Sequence, residues 1–311
     1  MLISSDLRFA AFVMTYERPS FLADTIDKLF KQTFPPQKIL VIDNSKSYDT
    51  ENLVRSLNDK RVSYHRVGKN IGPAGASKIG LQMLVGEGFD WISWGDDDDP
   101  PHFSTVFEDL LNMAILGSNV GVIGAVGHRF DKNRGIVLRT TDAMLNTTKP
   151  LDVDVIAGNV SMIVNADVVK RSILPDPRFF LNVEEYDFCL RVKKAGFSVI
   201  AHPTVFMSYR IHKNRLGLAV RAPHVLPSES VLWRRYYSTR NLIFMLKANE
   251  RNIQGALNVS FRAGVKILSG FRKGWGYGIK NAQMEFQGIY HGWSGKMGLR
   301  VLPRYKYNSD S

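Results

Sequence analysis

Short apolar runs alternate with segments of helical periodicity along the first third of the chain. Four runs have the length and composition of buried strands, at residues 8–14, 38–42, 62–67 and 89–94. After the first run, Pro19 fits the first turn of a helix, and Leu22, Ile26 and Leu29 then recur at helical spacing. Strands that alternate with helices in this way predict βα units and a parallel sheet, so the expected fold class is α/β.

A polar cluster follows each of the four predicted strands, at residues 15–18, 43–44, 70–75 and 96–99. One such cluster is explained by ordinary turn chemistry, for which Asp-Asn-Ser is typical. Ligands of parallel sheets, however, bind at the carboxyl ends of the strands. Four clusters at four successive strand ends therefore predict one shared binding crevice. The glycines at 72 and 75 match neither the dinucleotide fingerprint nor the phosphate-loop pattern, which argues against a nicotinamide enzyme.

The fourth cluster consists of four consecutive carboxylates, Asp96, Asp97, Asp98 and Asp99. Adjacent like charges repel each other, and a divalent metal with oxygen ligands is one way to neutralise them. A solvated acidic turn is the alternative, because most charge runs are solvated. The position of the cluster at a strand end favours the metal.

Length and composition limit the domain organisation and the cellular compartment. With 311 residues, the chain is long enough for one large α/β domain, or for a domain of about 200 residues with an appendage. The single Cys189 excludes an intramolecular disulfide framework. Asp6 and Arg8 interrupt the N-terminus before a signal-peptide core develops, and no apolar run of about 18 residues occurs. A cytoplasmic protein is the expectation.

The net charge of +12 is concentrated in the C-terminal part of the chain. Residues 201–311 hold 18 Lys and Arg against 4 Asp and Glu, whereas residues 1–200 hold 23 against 25. Such a basic block binds nucleic acid, anionic lipid or an acidic substrate, and composition alone does not choose among them.

Beyond the acidic cluster, the pattern predicts strands within 153–164, and paired strands at 197–201 and 204–209. Between them, an acidic segment at 184–187 begins a helix. Carboxylates at a helix N-terminus are stabilising through the helix dipole and need no further role. A catalytic role is the alternative.

The C-terminal region reads as helical. Residues 233–246 form a helix with aromatic and basic faces, residues 253–268 are amphipathic, and residues 271–277 form an aromatic and basic loop. Basic amphipathic segments with Trp and Phe lie at membrane interfaces. A helical appendage with its charges in water is the alternative.

Taken together, the motifs resemble the inverting family 2 glycosyltransferases of the GT-A fold. The resemblance runs from about residue 9 to about residue 244 and includes Val-Met-Thr-Tyr-Glu-Arg-Pro at 13–19, Val-Ile-Asp-Asn-Ser at 41–45 and Asn-Ile-Gly-Pro-Ala-Gly at 70–75. Tyr-Tyr-x-x-Arg-Asn at 236–241 is similar to the rhamnosyltransferase and galactofuranosyltransferase branches. The resemblance implies a Rossmann-like GT-A nucleotide-sugar-binding domain at 1–228 and a mostly helical, basic extension at 229–311.

The resemblance also implies roles for individual residues. Gly158 and Asn159 are expected to line the acceptor side of the site. Mn²⁺ or Mg²⁺ on the donor diphosphate is expected at Asp96 and Asp98, whereas Asp97 and Asp99 are expected to be more replaceable. The general base is expected at Glu185, with Glu184 and Asp187 as alternates. Relatives carry a further metal-binding His near positions 207 and 208, for which His212 or His202 substitutes only with a shift. The donor-binding set is Thr15, Tyr16, Arg18, Asp43, Asn70, Gly72, Gly75, Lys78, Asp96 and Asp97.

The resulting hypothesis is a metal-dependent hexosyltransferase that uses a UDP- or dTDP-sugar. Galactofuranose and rhamnose are the candidates for the transferred sugar. The acceptor is a hydroxyl of a cell-surface polysaccharide or a lipid-linked glycan, and the enzyme binds peripherally to the anionic inner face of the plasma membrane. A sugar-nucleotide pyrophosphorylase is disfavoured because residues 15–19 lack a Gly-rich, Arg- and Lys-bearing loop. A nucleic-acid-binding protein is disfavoured because it gives no reason for the acidic strand end.

Overall fold

A computed structural model of the chain describes residues 3–4, 6–157, 161–217 and 226–302. The strands are β1 (Phe9–Thr15), β2 (Lys38–Asp43), β3 (Val62–Arg66), β4 (Trp91–Asp96), β5 (Val120–Gly124), β6 (Gly127–Asp131), β7 (Ile136–Leu138), β8 (Leu151–Asp152), β9 (Val155–Ile156), β10 (Met162–Asn165) and β11 (Ser198–Ala201).

Helices connect most of these strands and make up the C-terminal region. They are α1 (Pro19–Phe30), α2 (Asp49–Leu57), α3 (Gly72–Gly86), α4 (Val106–Leu116), α5 (Asp142–Leu145), α6 (Ala166–Lys170), α7 (Glu184–Lys194), α8 (Pro203–His212), α9 (Leu232–Phe244), α10 (Ile253–Gly270) and α11 (Trp275–Ser294). Short 3₁₀ turns lie at Pro177–Phe179, Glu229–Val231 and Phe271–Lys273, and a π-helical turn at Met245–Asn249 extends α9.

Eight strands form the central sheet in the order β3-β2-β1-β4-β10-β5-β11-β8, and β7, β6 and β9 form a smaller one. The first four strands of the large sheet are parallel, and β10 runs antiparallel between β4 and β5. The predicted α/β class with a parallel-rich sheet is therefore confirmed. The strand order reverses direction at β1, so the carboxyl ends of β1 and β4 lie side by side, and ligands of such sheets bind at this kind of switch point.

The sheet is buried on both faces because neighbouring residues of each strand point to opposite sides. In β1, Phe12 packs with Leu81 of α3 and Phe188 of α7. The adjacent Val13 belongs to the other core, with Ile26 of α1 and Leu110 of α4. A continuous apolar run is the pattern of such a doubly covered strand, which is why the four predicted strands are found within two residues of their expected positions.

One predicted strand is wrong. Residues 204–209 lie in α8, not in a strand paired with β11. Pro203 occupies the first helical turn, and the backbone N–H of Val205 donates to Nδ1 of His202 (3.3 Å), which caps the helix. The buried positions Phe206 and Tyr209 are three residues apart, as the inner face of a helix requires.

The segment at 153–164 contains β9 and β10, whereas the predicted acceptor residues Gly158 and Asn159 lie outside the described residues. The predicted amphipathic helix at 253–268 is confirmed as α10. The aromatic and basic loop at 271–277 is shorter than predicted, because Trp275 already begins α11.

Contacts divide the chain into two compact units. One comprises Met1–Arg129, Leu138–Pro177 and Glu185–Gly217, and the other comprises Phe130–Val137, Arg178–Glu184 and Leu218–Ser311. The functional division at residues 228 and 229 stays a prediction. No helix within the described ranges is both long and apolar enough to cross a bilayer.

Candidate active site

The acidic cluster begins on the last residue of β4. Trp91, Ile92 and Trp94 anchor this strand in the core, and Asp96 pairs in register with Met14 of β1. The carboxylates therefore emerge beside the loop that follows β1, as the sequence predicts for strand ends that converge.

Asp97 is the buried member of the cluster. Thr15 Oγ1 donates to Asp97 Oδ2 (2.6 Å), and the backbone N–H of Tyr16 also donates to this carboxylate. Thr25 Oγ1, on α1, donates to the Asp97 carbonyl oxygen (2.7 Å). These bonds tie the end of β4 to the loop after β1, so Asp97 acts as a structural link within the site.

Arg18 bridges two of the carboxylates. Its Nη2 pairs with Asp97 Oδ1, and its Nη1 donates to Asp98 Oδ2 (2.5 Å). The Asp98 side chain is 44% exposed and the Arg18 side chain 42%. Asp98 is thus the acid of the pair that remains accessible to a ligand, and Arg18 stands beside it as a cation.

Asp96 lies in a strongly acidic environment. Burial raises the pKa of its carboxyl to about 8, and the negative charges of Asp97, Glu185 and Asp98 raise it further than Arg18 lowers it. Without a cation, Asp96 is therefore mostly protonated at neutral pH. Burial likewise raises the pKa of Asp97 and that of Asp99, each to about 6.

This donor set fits a hard divalent cation. Within the described ranges, no group of three His, Cys, Asp or Glu side chains forms a complete ligand set. Mg²⁺ commonly uses one or two carboxylates, with phosphate oxygens and water at the remaining positions. Asp96, which needs a counter-charge, and Asp98, which is accessible, are the residues that would hold it.

The acidic segment at 184–187 starts α7, as predicted. Asp187 is buried and pairs with Arg191 one turn later, at 2.7 Å from Oδ2 to Nη2. Burial raises the pKa of Glu185, and the charge of Glu185 contributes to the raised pKa of Asp96, so these two carboxyl groups lie near each other. Glu184, the other alternate, is 3% exposed.

Asp43, at the end of β2, is fully buried and already bonded. Its Oδ1 accepts from the backbone N–H of Ser45 (2.8 Å), and its Oδ2 accepts from the Tyr64 hydroxyl (2.7 Å). Burial and the Asp43 charge raise the pKa of Tyr64. This carboxylate therefore shapes the loop after β2, and its role in donor binding stays a prediction.

Residues 70–75 form the entry of α3, which begins earlier than the sequence predicts. Asn70 Oδ1 accepts from the backbone N–H of Gly72 (2.9 Å), and Gly72 has a φ of +74° that favours glycine. A Cβ at position 75 would lie 2.8 Å from Ile71 Cδ1, so a larger residue there would require the Ile71 side chain to move. A helix N-terminus next to the crevice favours an anion, and Lys78 is half-buried in the following turn.

His212 ends α8 and lies beside His102, which borders the acidic cluster. Its ring lies 4.9 Å from the His102 ring, and His102 Nε2 lies 3.9 Å from Asp99 Oδ1. Burial and the nearby Lys213 ammonium lower the pKa of His102. The structure thus brings His212 to Asp99 through His102.

Four residues of this region are absent from the sequence-based set: Glu17, Thr25, Tyr64 and His102. Glu17 has a φ of 55°, and its carboxylate accepts from the backbone N–H of Lys46 (2.7 Å) and from Ser47 Oγ (2.6 Å), joining the loops after β1 and β2. His102 could have been identified from the sequence, because it follows the acidic run by three positions. The other contacts join residues more than 20 positions apart and leave no local pattern.

The model of the family described as Glycosyl transferase family 2 matches residues 11–171, more than half of the chain. The chain belongs to glycosyl transferase family 2. The matched region contains β1 to β4 and the acidic cluster, and the resemblance inferred from the motifs is thereby confirmed.

Similar sequences include two mycobacterial family members called galactofuranosyltransferase GlfT1. The protein of Mycolicibacterium smegmatis is 28% identical over 198 residues, and that of Mycobacterium tuberculosis is 27% identical over 201. The similarity covers 60% of this chain in both cases, and it spans 65% and 64% of the relatives' own lengths, just under two thirds.

Two solved structures share the fold at low identity. A mannosyltransferase from Pyrobaculum calidifontis in complex with GDP-Man and Mn²⁺ has a TM-score of 0.53 at 13% identity, over 93% of this chain and 88% of that one. GalNAc-T7 with UDP, GalNAc and Mn²⁺ has a TM-score of 0.54 at 15% identity, over 64% and 43%. The predicted GT-A architecture is consistent with both neighbours.

Proposed function

We propose that the chain is a metal-dependent, inverting glycosyltransferase that moves a sugar from a nucleoside diphosphate donor to an acceptor hydroxyl. The observation that carries this proposal is the proximity of Asp96 and Glu185, two carboxyl groups of raised pKa. Asp96 needs a cation beside it to be ionised. Glu185 has to be a carboxylate before it accepts the hydroxyl proton, and its raised pKa makes that carboxylate a stronger base.

One group of residues binds the donor diphosphate, and another accepts the proton of the acceptor hydroxyl. Asp96 and Asp98 would hold Mn²⁺ or Mg²⁺, and a cation bound there would supply counter-charge for the diphosphate leaving group. Arg18, at 2.5 Å from Asp98, and the N-terminus of α3 supply further positive potential on the diphosphate side. Thr15, Tyr16 and Asp43 border the nucleoside.

Glu185 is the proposed general base. As the acceptor oxygen forms its bond to the anomeric carbon, the carbon–oxygen bond to the diphosphate breaks, and the hydroxyl proton moves to the Glu185 carboxylate. Attack from the face opposite the diphosphate inverts the anomeric configuration. Asp187 is a weaker candidate because it is buried and engaged by Arg191.

The relatives favour galactofuranose as the first donor sugar to examine, since the two mycobacterial proteins bear that name. A rhamnosyl donor remains the second candidate. For the acceptor, we propose a polysaccharide or lipid-linked glycan at an anionic membrane surface, reached from the cytoplasmic face. The support is compositional, because residues 226–302 hold 12 Lys and Arg against three acids.

Glu185→Gln tests the assignment of the base. The variant keeps the shape of the side chain but takes up no proton, so we expect donor affinity to persist while turnover falls by about 100-fold or more. Isothermal titration with donor and Mn²⁺ measures the first quantity, and release of nucleoside diphosphate measures the second. Glu108→Gln, on α4, is the matched control. Retained turnover in Glu185→Gln would show that another group is the base.

The reaction products separate this proposal from its rivals. A glycosyltransferase releases nucleoside diphosphate and lengthens a glycan, whereas a pyrophosphorylase consumes nucleoside triphosphate and sugar phosphate. Salt-dependent binding to RNA or DNA without nucleotide-sugar binding would instead support a nucleic-acid-binding protein.

A further inference from the structure

The loop that leads into α7 has an unusual backbone. Phe180, Asn182 and Val183 all lie in the left-handed region, with φ values of 65°, 64° and 72°. Asn tolerates this region, but a β-branched residue such as Val does so only where its surroundings enforce it. Such residues are strained and persist only where the surrounding structure fixes them. Glu184 and Glu185 follow directly in the chain.

The side chain of Asn241, on α9, contacts this loop along its length. Asn241 Nδ2 donates to the carbonyl oxygens of Phe179 (3.0 Å), Leu181 (2.8 Å) and Asn182 (2.7 Å). Asn241 is completely buried. One amide group therefore binds three carbonyls of a five-residue segment, which fixes their relative orientation.

Arg240 orients this amide and adds a fourth bond to the loop. Arg240 Nε donates to Asn241 Oδ1 (2.8 Å), which leaves the Asn241 nitrogen directed at the loop. Arg240 Nη2 donates to the Phe179 carbonyl oxygen (2.8 Å). The two neighbouring side chains thus act on the loop as a single hydrogen-bonding unit.

Arg240 is held in the core without an ion pair to any carboxylate of the described residues. It is completely buried, and its other acceptors are the Gly298 carbonyl oxygen (2.6 Å) and the Tyr236 hydroxyl (3.3 Å). The rings of Tyr236 and Tyr237 lie 5.2 and 4.8 Å from its guanidinium carbon. A buried charge of this kind is a poor source of stability compared with an apolar residue of similar volume, so a role in fixing the loop explains its presence better than core packing does.

We propose that Arg240 and Asn241 are positioning residues for the general base. They hold the loop at residues 179–183, in which Phe180, Asn182 and Val183 are left-handed, and thereby set the backbone from which Glu184 and Glu185 begin α7. This inference rests on the proposed function, in which Glu185 accepts the acceptor proton. It gives a mechanical role to the Arg-Asn pair of the Tyr-Tyr-x-x-Arg-Asn motif.

Asn241→Ala removes the three hydrogen bonds, and Thr239→Val is the matched control. Thr239 lies on the same helix, is equally buried and donates to Glu285 Oε2 (2.6 Å), so its replacement breaks a buried polar contact that does not touch the loop. We expect both variants to have a lowered melting temperature. Only Asn241→Ala should reduce the turnover number, by on the order of 10- to 100-fold with an unchanged donor KM, because small displacements of a catalytic group have effects of this size.

Hydrogen exchange provides a second readout that does not depend on catalysis. In Asn241→Ala, the backbone amides of residues 180–186 should lose protection relative to the rest of α7, whereas Thr239→Val should leave them unchanged. If wild-type protein shows no turnover with any nucleotide-sugar, the proposed function fails, and the exchange comparison still decides whether the pair holds the loop.

If Asn241→Ala does not fold, Arg240→Lys takes its place, because it keeps the charge but loses the planar fork that reaches both Phe179 and Asn241. Turnover and amide protection in the test variant equal to those of Thr239→Val would overturn the proposal. A selective loss of both would support it.

Discussion

At the scale of single residues, the structure distinguishes four carboxylates that are alike in the sequence. The strand-end position of Asp96 and the exposure of Asp98 agree with the roles expected from the sequence pattern. The expected replaceability of Asp97 does not follow from its surroundings, because it is fully buried and bonded to Thr15 and Arg18. Adjacency along the chain does not reveal which side chain turns inward, since Thr15 is 82 positions away.

Asp97→Ala should therefore destabilise the fold more than Asp98→Ala. Removing Asp97 leaves the Thr15 hydroxyl and part of Arg18 without an acceptor, which costs on the order of 1–3 kcal/mol for a buried polar group. Asp98→Ala removes a half-exposed pair with Arg18 and should change stability by less than about 1 kcal/mol. Urea unfolding of the two variants measures the difference. Equal midpoints for both variants would contradict the structural role of Asp97.

Asp96 should make the stability of the metal-free protein depend on pH. The pKa of its carboxyl is about 8, whereas an unfolded Asp titrates near about 4. Between these values the folded state holds a proton that the unfolded state releases, so stability falls as the pH rises from about 4 to about 8. Asp97 and Asp99, each with a pKa of about 6, contribute mainly to the lower part of this window.

Asp96→Asn should flatten the upper part of that dependence. Urea unfolding in chelator at pH 6 and pH 8 should show a smaller loss for the variant than for the wild type, because the amide does not titrate. Adding Mn²⁺ at pH 8 should stabilise the wild type and leave Asp96→Asn unchanged. The same pH dependence in both proteins would show that Asp96 is ionised in the folded state.

At the scale of elements, local pattern predicts the parallel strands well and α8 poorly. The β1 run is short, apolar throughout and buried on both faces, which is the pattern of a strand in a parallel sheet covered on both sides. Residues 204–209 contain a short mixture of apolar and polar residues that suits a strand or a helix, and the cap at His202 decides between them. The carbonyl oxygens that Asn241 contacts lie about 60 positions away in the chain, so no local sequence pattern predicts these hydrogen bonds.

The amphipathic α10 carries the structural support for membrane association. Its buried face includes Ala256, Val259 and Ala263, whereas Leu257 and Phe261 are exposed, Phe261 to 73%. The sequence of α10 contains no acidic residue, and Arg262 and Lys266 lie beside the exposed apolar stripe. An apolar face with basic flanks is the arrangement that binds anionic lipid surfaces.

Phe261→Glu should weaken binding to vesicles that contain anionic lipid by on the order of tenfold, since burial of one such side chain contributes roughly 1.5–3 kcal/mol. Sedimentation with vesicles measures the binding, and Leu116→Glu on α4, also well exposed, is the control. Deleting the C-terminal helices is a poorer test, because Gly292 of α11 packs against the Arg240 carbonyl oxygen and Ile243 of α9. Equal binding by Phe261→Glu and wild type would refute a membrane role for α10.

At the scale of the whole molecule, the sequence predicts family and fold because the family motifs are short segments at strand ends. Residues 11–171 carry them, and the parallel half of the sheet brings them to one edge. The basic excess of the C-terminal region is equally visible in composition. The sequence does not predict the donor sugar, because donor specificity depends on pocket contacts between segments that are distant in sequence.

The relatives nevertheless make the donor testable. Among UDP-galactofuranose, UDP-galactopyranose, dTDP-rhamnose and GDP-mannose, we expect the first to raise the melting temperature most in the presence of Mn²⁺, since the curated relatives are galactofuranosyltransferases. A ligand at about 100 times its Kd stabilises the folded state by about 2.7 kcal/mol, which corresponds to several degrees at about 2–4 °C per kcal/mol. Chelator, or Asp98→Ala, should remove the shift, because the diphosphate then lacks its counter-ion. A larger shift with GDP-mannose would assign the chain to another donor class, and a shift that persists in chelator would argue against metal-assisted donor binding.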